Sequence, residues 1–317
     1  MTALSDQLGD KAFWRSFAPT LTVSDVPSRD WEPPGPPGGD AAASAARSLA
    51  DHGYFTCREV VRPDLCARVG EVVARLVDAG IPTPFVFVYD EVWELLHQAG
   101  AVVARLLGPG FLVGGDLWAW HVAPNVGAAG WSVHRDTNLG SGRLHDGRTG
   151  LLTMWIPLTE ATADNGCIRL LPADVDPHVP DDLGSLAMDA AARAAVVAVP
   201  ATPGDVLGWT TEVLHWGGES TGRARGPRIS VSIYAQRADA PPFADDFVPL
   251  DGAIPLHHRL GLVARALLAY EHSGLAGTAL SEEVHDFAER ERTRFASWLA
   301  MMAQLAGSGA ARPTREV

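Results

Sequence analysis

The chain has 317 residues, 47% of them hydrophobic and 20% charged, with a formal net charge of −13. That is globular composition with enough apolar residues for a sizeable core, and its acidity argues against a nucleic-acid or anionic-membrane partner, because phosphate binding needs a basic surface. Lys11 is the only lysine, so Schiff-base chemistry in the folded body is excluded and a fixed cation in any site must be an arginine.

Residues 1–40 are weakly patterned and end in Pro33-Pro34-Gly35-Pro36-Pro37-Gly38-Gly39, which reads as a surface arm. The first residues lack the basic and apolar regions of a secretory signal. Asp40 caps a predicted helix over Ala41–His52 that Gly53 stops, Tyr54-Phe55-Thr56 reads as a short strand, and helical spacing follows over Pro63–Ala79 and Glu91–Leu107. Cys57, Cys66 and Cys167 form no CxxC pair and read as buried or idle thiols in a reducing compartment. No run reaches the ~18 apolar residues of a membrane span, so the expectation is a soluble, cytoplasmic protein.

From Gly114 the period changes. Strand patterns fall at Leu117–Val122, Gly130–Asp136, Leu151–Leu158, Cys167–Leu171, Ala195–Val199, Asp205–Trp209, Glu212–Trp216 and Ile229–Gln236. So many strands without intervening helices predict an antiparallel barrel or jelly roll. Asp164-Asn165-Gly166 is the expected type I′ hairpin turn between two of them. Residues 173–194 read as an insertion with a short alanine-rich helix, and His257–Tyr270 and Ser281–Leu305 as amphipathic helices. The expected class is α+β. A single domain over 1–317 is the simplest organisation: an arm (1–40), a helical layer (41–113), a β core (114–237) and C-terminal helices (238–317).

Within Trp131-Ser132-Val133-His134-Arg135-Asp136, His134 and Asp136 are two apart. On a strand that spacing puts both on one face, and an imidazole with a carboxylate is two-thirds of the 2-His-1-carboxylate triad of non-haem Fe(II). Alone, such a pair is more often a surface salt bridge. The third ligand would be a histidine from a later strand, and His215, just before Gly217-Gly218, fits. In Pro227-Arg228-Ile229-Ser230, the alternation puts Arg228 and Ser230 on one face, a clamp for a carboxylate. Arg135 alternates away from the metal face and reads as structural.

In order, His134-Arg135-Asp136, Met154-Trp155-Ile156-Pro157-Leu158, Asn165-Gly166, Leu171-Pro172, Gly204-Asp205, His215 and Arg228-x-Ser230 resemble the phytanoyl-CoA dioxygenase-like family of Fe(II)/2-oxoglutarate-dependent oxygenases. The resemblance spans roughly residues 115–236. It implies a double-stranded β-helix (jelly-roll, cupin-like) core with helices packed around it. It also implies that His134, Asp136 and His215 bind Fe(II), that Arg228 and Ser230 hold the distal carboxylate of 2-oxoglutarate, and that Trp155 contacts this cosubstrate. O₂ is the oxidant and succinate a product. Family members that halogenate carry a small residue in place of the aspartate, so Asp136 points to oxygenation. Many members follow the proline with Gly-Ser-His, whereas this chain has Pro172-Ala173-Asp174-Val175.

The implied activity is hydroxylation of a small organic molecule, of the secondary-metabolite or amino-acid tailoring type. Desaturation, epimerisation or ring formation would use the same chemistry, and a non-catalytic jelly-roll binding protein is the rival from another class. Candidate substrate contacts are Arg143 in the loop Leu139–Gly150, Trp216, and His121, which faces either the cavity or the core. The oligomeric state is left open.

Overall fold

Glycine stops and helical apolar spacing build the N-terminal third much as expected. The computed structural model describes residues 4–27, 31, 39–244, 246–250, 254–271 and 279–307. In chain order these form α1 (Leu4–Gln7), α2 (Lys11–Phe17), α3 (Gly39–His52), β1 (Tyr54–Cys57), α4 (Pro63–Asp78), a 3₁₀ segment (Thr83–Val88) and α5 (Asp90–Leu107). Then follow β2 (Leu112–Val122), β3 (Leu151–Pro157), β4 (Ile168–Leu171), α6 (Ala190–Ala195), β5 (Val197–Val199), β6 (Val206–Thr210), β7 (Leu214–Gly217), β8 (Arg228–Gln236), β9 (Val248–Pro249), α7 (Leu256–Glu271) and α8 (Glu282–Gly307). No helix among the described residues is long and apolar enough to cross a membrane.

The strands form two sheets, a six-stranded one in the order β1-β6-β3-β8-β2-β9 and a three-stranded one in the order β5-β4-β7. Every pairing in them is antiparallel. β8 lies inside the large sheet, so its alternation is decisive. Ile229, Val231 and Ile233 take one face, and α4 packs against β8 and β2. The stripe Leu65, Val69, Val72, Val73 and Leu76 of α4 is buried. The other face of β8 carries Arg228, Ser230, Ser232 and Tyr234, and Ser232 and Tyr234 line a cavity with His215 of the small sheet.

Three local expectations are corrected. Gly130–Asp136 is not a strand. Only His134 bridges to His215, and Asp136 turns away with φ −82° and ψ 43° to start a short 3₁₀ turn over Thr137–Leu139. Asp164-Asn165-Gly166 does not close a hairpin either, because β3 belongs to the large sheet and β4 to the small one. Only Gly166 has positive φ (81°), where a Cβ would lie 2.1 Å from the Gly218 carbonyl oxygen. Asn165 instead accepts from Thr162 N (2.7 Å) and donates to the Glu160 carbonyl (2.7 Å).

The third correction concerns the arm. The Pro-rich run 32–38 and residues 1–3 lie outside the described residues, but α2 is core: Trp14 is fully buried and stacks on Phe85 at 5.0 Å. Tyr89 Oη donates to the Trp14 carbonyl (3.0 Å). Arg259 of α7, fully buried, donates to Asp90 (2.6 Å), to the Val88 carbonyl (2.5 Å) and to the Ser24 carbonyl, tying α7 to this layer. The three cysteines are buried free thiols, and burial pushes Cys66 up to about 12.

Candidate active site

His215 sits on β7 of the small sheet, and the bridge His134↔His215 lays the irregular 131–136 stretch alongside it. The His134 amide donates to the His215 carbonyl (3.0 Å), and the His215 amide donates to the His134 carbonyl (2.9 Å). The two rings come to 4.3 Å between centroids. Each ring is oriented by the carbonyl two residues before it: His134 Nδ1 donates to the Ser132 carbonyl (2.8 Å) and His215 Nδ1 to the Val213 carbonyl (3.0 Å). That fixes the Nδ1–H tautomer and presents Nε2 as the ligating atom.

Asp136 completes the group. Its Oδ1 is 3.3 Å from His134 Nε2 and its Oδ2 3.6 Å from His215 Nε2. One ligand atom from each of His134, Asp136 and His215 lies within 4.8 Å of the others, the sole cluster of this kind among the described residues. These separations approach the ~3 Å between adjacent corners of an octahedron with bonds near ~2.1 Å. The donor set fits non-haem Fe(II).

Asp136 is held in turn. Thr153 Oγ1 (2.5 Å) and Trp209 Nε1 (2.9 Å) both donate to its Oδ2. Thr153 and Trp209 are register partners on β3 and β6, so the large sheet positions a ligand from a loop. Burial works against the carboxylate, but His215, His134 and the Thr153 hydroxyl outweigh it and keep Asp136 ionised below the usual range. Burial drives His215 down to about 4, so its imidazole is neutral and able to ligate at neutral pH.

Arg228, at the start of β8, is fully buried. Its three guanidinium nitrogens have no hydrogen-bond partner among the described residues, and neither does the buried Ser230 Oγ. Its Cζ lies 5.4 Å from the Trp131 ring and 5.9 Å from the Trp155 ring. Gly130 makes room for it, since a Cβ there would meet a guanidinium nitrogen at 2.6 Å. Burial lowers its pKa to about 10, which leaves it cationic. A buried cation without a partner is costly, and a ligand carboxylate is the complement that would satisfy it bidentately, with Ser230 adding a further bond. The residues present therefore fit a dicarboxylate such as 2-oxoglutarate.

The candidate substrate contacts fall elsewhere. His121 alternates away from Trp120 and lines a separate cleft with Ile81, Pro82 and Thr83. Trp216 lines the outer cleft beside Ser132 and Val133. Arg143 is ion-paired to the buried Glu212 (2.5 Å), and Arg148 to Asp146 (2.6 Å) and Asp239 (3.0 Å). None of these lines the cavity at the triad, whose walls include Trp120, Trp131, Trp209, Tyr234 and Tyr270. Sequence reasoning missed Thr153, Trp131 and Tyr270. Their roles depend on cross-strand register and on the return of α7, which periodicity does not encode; Trp131, three residues before His134, had the only local signal. Arg135 is structural as expected, donating to Asp176 (2.8 Å) and to the Glu212 carbonyl (2.5 Å).

No curated protein sequence matches the chain. Among solved structures, the non-haem monooxygenase ThoJ in its apo form is similar, with a TM-score of 0.53 at 16% identity over 82% of this chain and 99% of its own. The non-haem α-ketoglutarate-dependent epimerase SnoN from nogalamycin biosynthesis is similar too, with a TM-score of 0.51 at 18% identity over 65% of this chain and 85% of its own. At such identities these likenesses establish the fold. The sequence profile of the phytanoyl-CoA dioxygenase (PhyH) family matches residues 91–226, from α5 through the triad to just short of Arg228. Over that stretch the chain carries the phytanoyl-CoA dioxygenase family pattern, the family its ordered motifs resemble.

Proposed function

We propose that the chain is an Fe(II)/2-oxoglutarate-dependent oxygenase that hydroxylates a small organic molecule, working as one unit with its two sheets as the walls of a double-stranded β-helix. His134, Asp136 and His215 would hold the iron. Arg228 and Ser230 would grip the distal carboxylate of 2-oxoglutarate, with Trp155 as a wall beside the guanidinium. Iron, 2-oxoglutarate and O₂ together supply the oxidising power. The chain's own part is positioning: two carbonyl-tethered imidazoles, a carboxylate locked by Thr153 and Trp209, and aromatic walls that keep water out.

The observation that carries this reading is Arg228, a fully buried guanidinium with no hydrogen-bond partner among the described residues, on the strand that faces the triad. A non-catalytic binding protein with a structural metal has no need of such a group. Apart from the triad, the described residues lining the cavity carry no charged side chain. That favours a neutral group over the metal rather than an amino-acid zwitterion. Desaturation, epimerisation and ring closure remain rival fates for the substrate, and epimerisation is the activity named for SnoN. Angström-scale substrate placement decides among them.

The test is direct. Protein reconstituted with Fe(II) should retain iron through desalting and release succinate from 2-oxoglutarate once O₂ is admitted. Protein that holds no iron and releases no succinate with any neutral candidate substrate would defeat the reading.

A further inference from the structure

The cavity that reaches His134, Asp136 and His215 measures about 70 Å³ and is not lined by Arg228 or Ser230. Small-molecule sites run to roughly 300–1,000 Å³. A cosubstrate bridging the triad to Arg228 therefore has no open path in this conformation. Trp131 borders both. It lines the metal cavity, its ring lies 6.3 Å from both histidine rings, and the same ring lies 5.4 Å from Arg228 Cζ. Trp120 lies beside it, the ring centroids 4.5 Å apart and the planes tilted by 49°, but is anchored by its own Nε1 hydrogen bond to Ser232 (3.3 Å).

We propose that Trp131 is a movable partition between the metal centre and Arg228, and that the dicarboxylate takes the place its indole holds in this structure. The proposal rests on the cosubstrate reading above. The way Trp131 is attached suits the role. Its carbonyl accepts from the Gly217 amide (3.2 Å), which pins the backbone, whereas its buried indole Nε1 has no hydrogen-bond partner among the described residues. Motion is therefore a side-chain rotation on a fixed chain. Trp131 also lines the outer cleft with Ser132, Val133 and Trp216, which offers the ring somewhere to go. The exchange is balanced: the cation–π contact on Arg228 is lost, and a bidentate carboxylate contact on the same guanidinium replaces it. Trp131 thus acts as a positioning residue that makes cosubstrate entry conditional on its own rotamer.

The experiment uses the full chain loaded with Zn(II), which is redox-inert, titrated with 2-oxoglutarate by calorimetry and by tryptophan fluorescence. Wild type, Trp131→Phe, Trp131→Ala and Arg228→Gln are compared, each checked for folding by thermal unfolding. In wild type the emission should change on binding, and Trp131→Phe should lose most of that change, Trp155 beside Arg228 supplying the rest, while its Kd stays within about threefold of wild type. Trp131→Ala should bind about three- to tenfold tighter and associate faster, because no closed population has to be displaced. An emission change undiminished in Trp131→Phe, or tenfold weaker binding by Trp131→Ala, would make the indole a fixed wall and overturn the proposal alone. Failure of wild type to bind, or unchanged binding by Arg228→Gln, would overturn the cosubstrate reading and this proposal with it.

Discussion

Arg228→Met separates a functional cation from a structural one. In the ligand-free protein the guanidinium is fully buried and has no hydrogen-bond partner among the described residues. Burial holds it at about 10 instead of its ordinary 12.5, which corresponds to about 3 kcal/mol of destabilisation. Contacts with the Trp131 and Trp155 rings return on the order of 1–2 kcal/mol. Methionine keeps much of the volume without the charge, so the ligand-free variant should be more stable by about 1–2 kcal/mol. Its affinity for 2-oxoglutarate should fall by about 2–5 kcal/mol, or roughly 30- to several-thousand-fold. Urea unfolding of the metal-free protein gives the first quantity and calorimetry on Zn(II)-loaded protein the second. Loss of stability together with unaltered 2-oxoglutarate affinity would mean that Arg228 serves the fold and would refute the reasoning.

Thr153→Val removes a hydrogen bond to Asp136 Oδ2 and should weaken metal affinity about 10–100-fold, measured by chelator competition; unchanged affinity would leave Thr153 without a supporting role. Arg259→Ala strands the Asp90 carboxylate beneath α7 and should cost about 3–5 kcal/mol in urea unfolding. His258 is buried, and burial with His257 beside it holds it down to about 4. Its folded value lies below the unfolded ~6.5, so the unfolded state binds the proton first. This contribution is complete above pH ~6.5 and is lost as pH falls toward 4, by at most about 3 kcal/mol. Unfolding of metal-free protein across that range should be flatter in His258→Gln than in wild type; parallel curves would exclude His258 as a source of acid sensitivity.

The motif residues were legible because their chemistry is unusual at those spacings. His134, Asp136, His215 and the pair Arg228 and Ser230 could be picked out before any contact was known, and the structure brings the first three within ligand distance of one another. The strand at 130–136 was misread for a physical reason. Alternation detects a repeating two-residue period, whereas Asp136 reaches the histidines from a turn, and a turn leaves no period. Residues 4–23 looked featureless because α1 and α2 are short, yet Leu8, Trp14 and Val23 are fully buried.

The sequence by itself determined the donor set, the buried arginine on an alternating strand and the helix–strand–helix order, since each rests on residue type and local spacing. Only the tertiary structure decided that Thr153 and Trp209 lock Asp136, that Arg143 is spent on Glu212, and that the Trp131 ring lies near both histidines and Arg228. Those contacts join residues far apart in the chain. They depend on strand register and on how loops return across the cavity, and both are set by packing of the whole fold rather than by any local stretch.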